Sequence, residues 1–327
     1  MNILIANTSI IPAHKYGGTE RVIWYLGKEL KKMGHQITYL VNVGSSCDFA
    51  NVIFINPSKS INEQIPENID FVHFNFIPNE IINKPYLITN HGNRNDFYEF
   101  DVNAVFVSKN QAERFGSNSY VHNGLDWDDY GKPNLSNERK YFHFLGKAAW
   151  RLKNVQGAID VVKNTKKEKL KVLGGHRLNI SMGFRFTPSP RIQFHGMVGG
   201  NQKNQLLEGS KGLIFPVKWH EPFGLAITES LYFGCPVFGT PYGSLPELIT
   251  SDFGVLSNKS KVLTEAIQNA DNFSRQKCHN YALEFFNSKR MAISYLEKYH
   301  IILNGGQLNT NPPKLIQLQE TKFLDWQ

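Results

Sequence analysis

Short apolar runs alternate with segments of helical spacing along most of the chain. Residues 2–7, with the apolar run Ile3-Leu4-Ile5-Ala6 between two asparagines, read as a buried strand, and over 19–33 Val22, Ile23, Leu26 and Leu30 share one helical face. Gly34-His35 ends that helix, and residues 36–42 return as a strand. Further strands are predicted at 51–55, 70–75, 86–90, 103–107 and 118–121, with a helix over 109–115 capped by Ser108. Residues 123–140 break the rhythm with Asn, Asp, Gly, Pro and Ser, the composition of a linker. The alternation then restarts, with strands at 141–145, 169–173, 191–195, 212–216 and 236–239 and helices at 154–165, 201–208, 223–233 and 260–270. Helical segments at 275–285 and 288–303 follow. The tail 304–327, with Gly305-Gly306 and Pro312-Pro313, reads as irregular, and no internal repeat is visible.

This rhythm predicts an α/β protein of two doubly wound, Rossmann-like domains, 1–122 and 141–285. Ligands in such sheets meet the loops at the carboxyl ends of the strands. Two of them facing each other would place a cleft there. Composition agrees: 327 residues suit two domains, and 41% hydrophobic with 20% charged residues is enough to bury a core. Lys+Arg 36 against Asp+Glu 28 gives a net charge of +8, which favours an anionic partner: nucleotide phosphates, nucleic acid or an anionic lipid surface. No apolar run approaches the ~18 residues of a membrane span. Residues 2–7 are too short for a signal peptide. Cys47, Cys235 and Cys278 are odd in number and far apart, which argues against a disulfide framework and for a reducing compartment. The expected location is cytoplasmic, with peripheral contact at the inner membrane face left open by the charge.

Several chemistries lack their motif. The chain has no C-x-x-C pair, no P-loop, no G-x-S-x-G elbow and no G-x-G-x-x-G. His220-Glu221 begins like a zincin helix, but Pro222 follows and Gly224 stands where the second histidine would be. Asp126-Trp127-Asp128 is a D-x-D triplet, too short a pattern to assign a metal. No metal and no resident cofactor are expected.

The informative residues sit after predicted strands. Gly17 and Gly18 occupy a strand-to-helix junction, where backbone amides can approach a ligand closely. Gly146-Lys147 and Lys153-Asn154 place two cations after strand 141–145. His91 closes strand 86–90. After strand 212–216, Glu221 is expected just before a helix opened by Pro222, with Glu229 about two turns inside. The amides of Phe223, Gly224 and Leu225 would lie between the two carboxylates. An anion site flanked by hydroxyl-accepting carboxylates fits a sugar nucleotide.

The block His220-Glu-Pro-Phe-Gly-Leu-Ala-Ile-Thr-Glu229, continued by Gly234-Cys-Pro236 and Gly243-Ser-Leu-Pro246-Glu247, resembles the E-x7-E signature of retaining family-four glycosyltransferases of the GT-B fold. Tyr16-Gly-Gly-Thr-Glu20, His91, Asn123-Gly124, Gly146-Lys147, Lys153-Asn154, His195-Gly196 and the Phe286-Asn-Ser-Lys start of the closing helix match in the same order, over residues 2–303. The resemblance implies that Glu221 hydrogen-bonds the donor sugar and that His91 lies near it, as the catalytic pair. Glu229 would hold the ribose. Lys147, Lys153 and the amides of Phe223, Gly224 and Leu225 would bind the diphosphate, with Gly17 and Gly18 closing from the first domain. The base would stack near Gly196, Met197 and Val198. Helix 286–303 would cross back to the first domain, the acceptor side. Lys147 departs from the arginine usual in the family, which keeps the charge but loses the bidentate fork.

The function implied is metal-independent transfer of a hexose-type sugar from a nucleoside-diphosphate sugar to a hydroxyl of a carbohydrate or glycolipid acceptor, in polysaccharide or glycolipid assembly. Two alternatives stay open: a sugar-nucleotide epimerase of similar architecture, and an inactive subunit that only binds the nucleotide sugar. Nucleic acid is not an expected partner, because no recognition motif accompanies the charge.

Overall fold

The computed structural model describes residues 1–13, 17–180 and 182–327. His14, Lys15 and Tyr16 of the glycine-loop motif therefore lie outside the described residues. The chain divides into two units, residues 1–126 with 286–319, and residues 127–285 with 320–327.

In the first unit, strands β1 (Asn2–Ala6), β2 (Gln36–Val41), β3 (Asn51–Phe54), β4 (Phe71–Phe74), β5 (Tyr86–Asn90) and β6 (Ala104–Phe106) form a parallel sheet in the order β3-β2-β1-β4-β5-β6. The central strands are apolar on both faces, as parallel strands covered by helices must be. Leu4, Ala6, Leu40, Val72 and Phe74 pack one side, and α1 (Gly18–Lys32) and α9 (Ser288–Leu303) belong to the same unit. Tyr299 Oη lies 2.7 Å from His73 Nδ1, Tyr295 Oη lies 3.0 Å from Thr89 Oγ1, and His73 Nε2 lies 2.8 Å from Thr89 Oγ1. These hydroxyls satisfy both ring nitrogens, and burial pushes the His73 pKa down to about 3.

The second unit repeats the plan. Strands β7 (Tyr141–Leu145), β8 (Leu170–Leu173), β11 (Ile192–Phe194), β12 (Ser210–Phe215), β13 (Val237–Gly239) and β14 (Gly254–Leu256) run parallel in the order β11-β8-β7-β12-β13-β14. A short antiparallel hairpin, β9 (Leu178–Asn179) and β10 (Arg185–Phe186), stands apart from the sheet. Helices α3 (Val155–Lys163), α4 (Gly200–Glu208), α5 (Leu225–Tyr232), α7 (Ser260–Gln268) and α8 (Arg275–Phe285) complete it, and α2 (Lys109–Arg114) and α6 (Leu245–Leu248) are the remaining α-helices among the described residues.

Four expectations change. Residues 118–121 are no strand; Tyr120 makes one isolated bridge to Phe106. The division between the two units falls inside the expected linker 123–140, but residues 123–127 and Tyr130 are buried, and the exposed positions lie mostly in 131–140. Leu125 bonds the Phe286 carbonyl and Ser288 bonds Leu125, whereas Trp127 stacks on Tyr232 at 4.3 Å. The tail has neither helix nor strand, yet Leu315 is buried among Phe100, Phe106 and Phe115. Beyond it, Trp326 packs on the core of the second unit. The fourth change concerns the start of α5 and belongs to the site.

Candidate functional site

In a doubly wound sheet, the two strands on either side of the order reversal send their loops apart and leave a crevice. In the second unit these are β7 and β12. The loop after β7 carries Lys147 and, in a single 3-10 turn over Arg151–Lys153, Lys153. Asn154 then adopts a left-handed φ of 54°, accepts from the Gly157 amide to start α3, and donates 2.9 Å to the Pro216 carbonyl after β12. That bond ties the two loops together, and the Lys218 amide adds a second tie to the Leu152 carbonyl at 2.7 Å.

The result brings Lys153 onto Glu221. Lys153 Nζ donates to both carboxylate oxygens, at 2.8 and 2.6 Å, and Trp219 Nε1 donates to Oε2 at 2.8 Å. Both charged residues are buried, and the ammonium also lies 5.1 Å from the Trp219 ring centre. An ammonium has three donors and a carboxylate about four acceptor positions. After these bonds one donor of Lys153 and one position on Glu221 remain for a ligand. Gly243, at φ 63°, backs this arrangement: a Cβ there would stand 2.2 Å from the Glu221 nitrogen.

Helix α5 starts later than expected. Gly224 is its N-cap at φ 86°, and Leu225 is the first helical residue. Pro222 therefore precedes the helix instead of opening it, and the Phe223 amide is not in the first turn. The Phe223 carbonyl accepts from Ser244 Oγ at 2.7 Å, which holds this segment against the next loop. Of the three amides expected at the helix start, only that of Leu225 lies inside it. Glu229 sits about one turn in, 2% exposed. Lys203 of α4 forms an ion pair with Glu229, and Tyr130 Oη donates to it at 2.8 Å. Lys203 and Tyr130 were not read from the sequence. Beneath, His143 bonds Ser210 and Ser230 through its two ring nitrogens, and burial, with Arg139 nearby, pushes its pKa down to about 3.

The remaining second-unit candidates are more open. Lys147 is exposed, with its ammonium 5.2 Å from the Trp150 ring centre. Gly196 turns the chain after β11 at φ 66°, Met197 is 40% exposed and Val198 is buried. His195 beside them holds a buried Nε2 with no partner among the described residues, and burial lowers its pKa.

At the reversal in the first unit, between β1 and β4, neutral amides stand among the described residues that follow the strands. Asn7 follows β1 and Asn75 follows β4; Asn90 ends the neighbouring β5, with His91 next. His91 Nε2 donates to Asn75 Oδ1 at 2.8 Å, and burial pushes its pKa down to about 4. The ring is then neutral at pH 7 and offers Nδ1 as an acceptor. Asn7 Nδ2 and Asn90 Nδ2 are buried and have no partner among the described residues. Gly17 is the N-cap of α1 and Gly18 its first residue. The D-x-D triplet holds no metal cluster: Asp126 pairs with Lys28 at 2.8 Å and Lys32 at 3.5 Å. No group of three or more metal-ligating side chains occurs among the described residues. No described helix is long and apolar enough to cross a membrane.

Two sheets of the same reversed order are the GT-B fold of nucleotide-sugar glycosyltransferases, and solved structures agree. AviGT4, a glycosyltransferase involved in avilamycin A biosynthesis, superposes with TM-score 0.76 at 17% identity, over 94% of this chain and 99% of its own. A glycosyltransferase from Rickettsia africae ESF-5 gives 0.73 at 18% identity, over 93% and 99%. Anabaena Alr3699/HepE in complex with UDP-glucose gives 0.65 at 14% identity, over 92% and 99%. No curated protein matches the chain. Residues 126–285, nearly the whole of the second unit, match the family model of glycosyl transferases group 1.

Proposed function

We propose that the chain is a retaining glycosyltransferase that moves a hexose-type sugar from a nucleoside-diphosphate sugar to a hydroxyl of a carbohydrate or glycolipid acceptor, without a metal ion or cofactor. The observation that carries this reading is the buried Lys153–Glu221 pair, braced by Trp219 beside the start of α5. It supplies one cationic donor and one carboxylate acceptor to a ligand carrying both phosphate and hydroxyls. The UDP-glucose of the Anabaena neighbour is such a ligand.

In the proposed reaction, the bond between the anomeric carbon and the diphosphate oxygen breaks and negative charge grows on the leaving group. Lys153, Lys147, the amides about Gly224 and the positive end of α5 stabilise that charge. Glu221 accepts a hydrogen bond from a sugar hydroxyl and fixes the ring. Glu229 and Lys203 hold the ribose, and Gly196, Met197 and Val198 flank the base. The acceptor hydroxyl attacks from the departing face and passes its proton to the leaving phosphate, which preserves the anomeric configuration. His91, neutral at working pH, accepts from a sugar hydroxyl instead of moving a proton. Asn7 and Asn90 offer amide donors to a neutral acceptor. A role in polysaccharide or glycolipid assembly in the cytoplasm follows from such an acceptor.

The test is release of nucleoside diphosphate from UDP-, GDP-, ADP- and dTDP-sugars with and without carbohydrate acceptors. Acceptor-dependent release that Glu221→Ala abolishes supports the reading. Epimerised donor without transfer, or unchanged turnover in Glu221→Ala, removes it.

A further inference from the structure

The hairpin β9–β10 has its chemistry turned inside out. Its arginines are tied to the body of the second unit. The Arg185 guanidinium lies 4.9 Å from the Phe194 ring centre and donates to the His176 carbonyl and Thr187 Oγ1. Arg177, at the hairpin base, donates to the carbonyls of Thr187, Ser189 and Ile192. The apolar side chains are left in solvent: Leu178 is 55% exposed, Ile180 79%, Met182 60%, Phe184 78% and Phe186 57%. Leu178 and Phe186 are cross-strand partners, so they form one continuous apolar edge. Five large apolar side chains exposed within nine residues mark an interaction surface.

The surrounding charge says what covers it. From Lys169 to Leu207 the chain has six Lys and Arg and no Asp or Glu. The hairpin also walls a cavity of about 560 Å³ that Arg151, Arg185 and Lys218 line together with Trp150, Phe323 and Trp326, against a single acid, Asp160. A second copy would cover the apolar edge but leave Arg151 and Lys218 without a counter-charge and set two cationic surfaces side by side. Nucleic acid would match the charge but leave Ile180 and Phe184 in water. An anionic bilayer satisfies both, with acyl chains for the apolar edge and phosphates for the cations.

We propose that the β9–β10 hairpin inserts Leu178, Ile180, Met182, Phe184 and Phe186 into the surface of an anionic lipid bilayer, with Arg151, Lys218 and the neighbouring cations at the phosphates. This goes beyond the donor reading and does not depend on it, because lipid binding is measured with no donor present.

The experiment is flotation of the whole chain with vesicles of phosphatidylcholine alone and of phosphatidylcholine mixed with phosphatidylglycerol. The protein is expected to float with the anionic vesicles, less so with the neutral ones, and to be released as salt is raised. The triple variant Ile180→Ser, Phe184→Ser, Phe186→Ser should bind at least about tenfold more weakly. Its melting temperature and its response to nucleotide sugars should not change. Failure of the wild type to float with anionic vesicles overturns the proposal, as does equal flotation of the triple variant. A concentration-dependent dimer that the triple variant abolishes, without any flotation of the wild type, would assign the edge to self-association instead.

Discussion

The two units share one strand order and differ in what stands at its reversal. In the first, β1 and β4 end in Asn7 and Asn75, with Asn90 and His91 beside them, all neutral at pH 7. In the second, β7 and β12 lead to Lys153 and Glu221, and Lys203 meets Glu229 close by. Among the described residues named here, the same topology therefore offers neutral amides and an imidazole once and paired charges once, and the chemistry lives in the loops, not in the sheet. A neutral surface suits sugar hydroxyls alone, whereas paired charges suit a ligand that carries phosphate as well.

The largest expected effect breaks the charged side. Glu221→Ala should lower kcat by about 10²–10³, as loss of one preorganised polar group at a developing charge does. It also leaves the buried Lys153 without its carboxylate, so chemical denaturation should show a loss of about 3 kcal/mol. Lys203→Ala should cost a similar amount, about 3 kcal/mol, because Glu229 is 2% exposed and loses its lysine. It should weaken donor binding more than turnover. Stability unchanged in both variants would mean that the second unit is no more charge-dependent than the first.

How far these residues were legible depends on sequence distance. Glu221 and Glu229 stand in one block of distinctive composition, and Lys153 follows a recognisable strand. Lys203 lies 26 residues before Glu229 on an otherwise polar helix, and Tyr130 lies in what reads as linker. Only packing brings either to the site. Pro222 misled for a physical reason: it is permitted in a first helical turn, but the left-handed Gly224 resets the chain and delays the helix to Leu225. The hairpin was missed although apolar and polar residues alternate strictly from Leu178 to Phe186, because Gly183 within it and Pro188 and Pro190 after it read as loop. The parallel, doubly wound character of both sheets, in contrast, follows from the βα rhythm, since parallel strands need crossovers, whereas the strand order was not read from the sequence.

A third prediction sharpens what the units share. His73 and His143, one in each, have pKa values pushed down to about 3 by burial. Above about pH 7.5 both rings are neutral, folded or unfolded. As pH falls below that, the unfolded chain takes up the protons first, so stability is lost progressively toward pH 3. Between pH 6.5 and 5 the loss should be about 3 kcal/mol for the two rings together. Urea titrations over this range check the slope, and hydrogen exchange checks that both sheets loosen. A His143→Gln variant should flatten the slope in part. The smallest effect is expected for Asn7→Ala: because Asn7 Nδ2 has no partner among the described residues, the change in stability should stay within about 1 kcal/mol. Any loss should appear instead in the KM for acceptor.

The central claim is that the charged loops of the second unit hold a nucleoside-diphosphate sugar. Thermal unfolding with UDP-, GDP-, ADP- and dTDP-sugars tests it most directly, because a ligand bound only by the folded state raises the transition temperature. One of these donors should raise the Tm of the wild type, and Lys153→Ala should abolish the shift while Asn7→Ala keeps it. No shift with any of the four, or a shift that survives Lys153→Ala undiminished, would contradict the account.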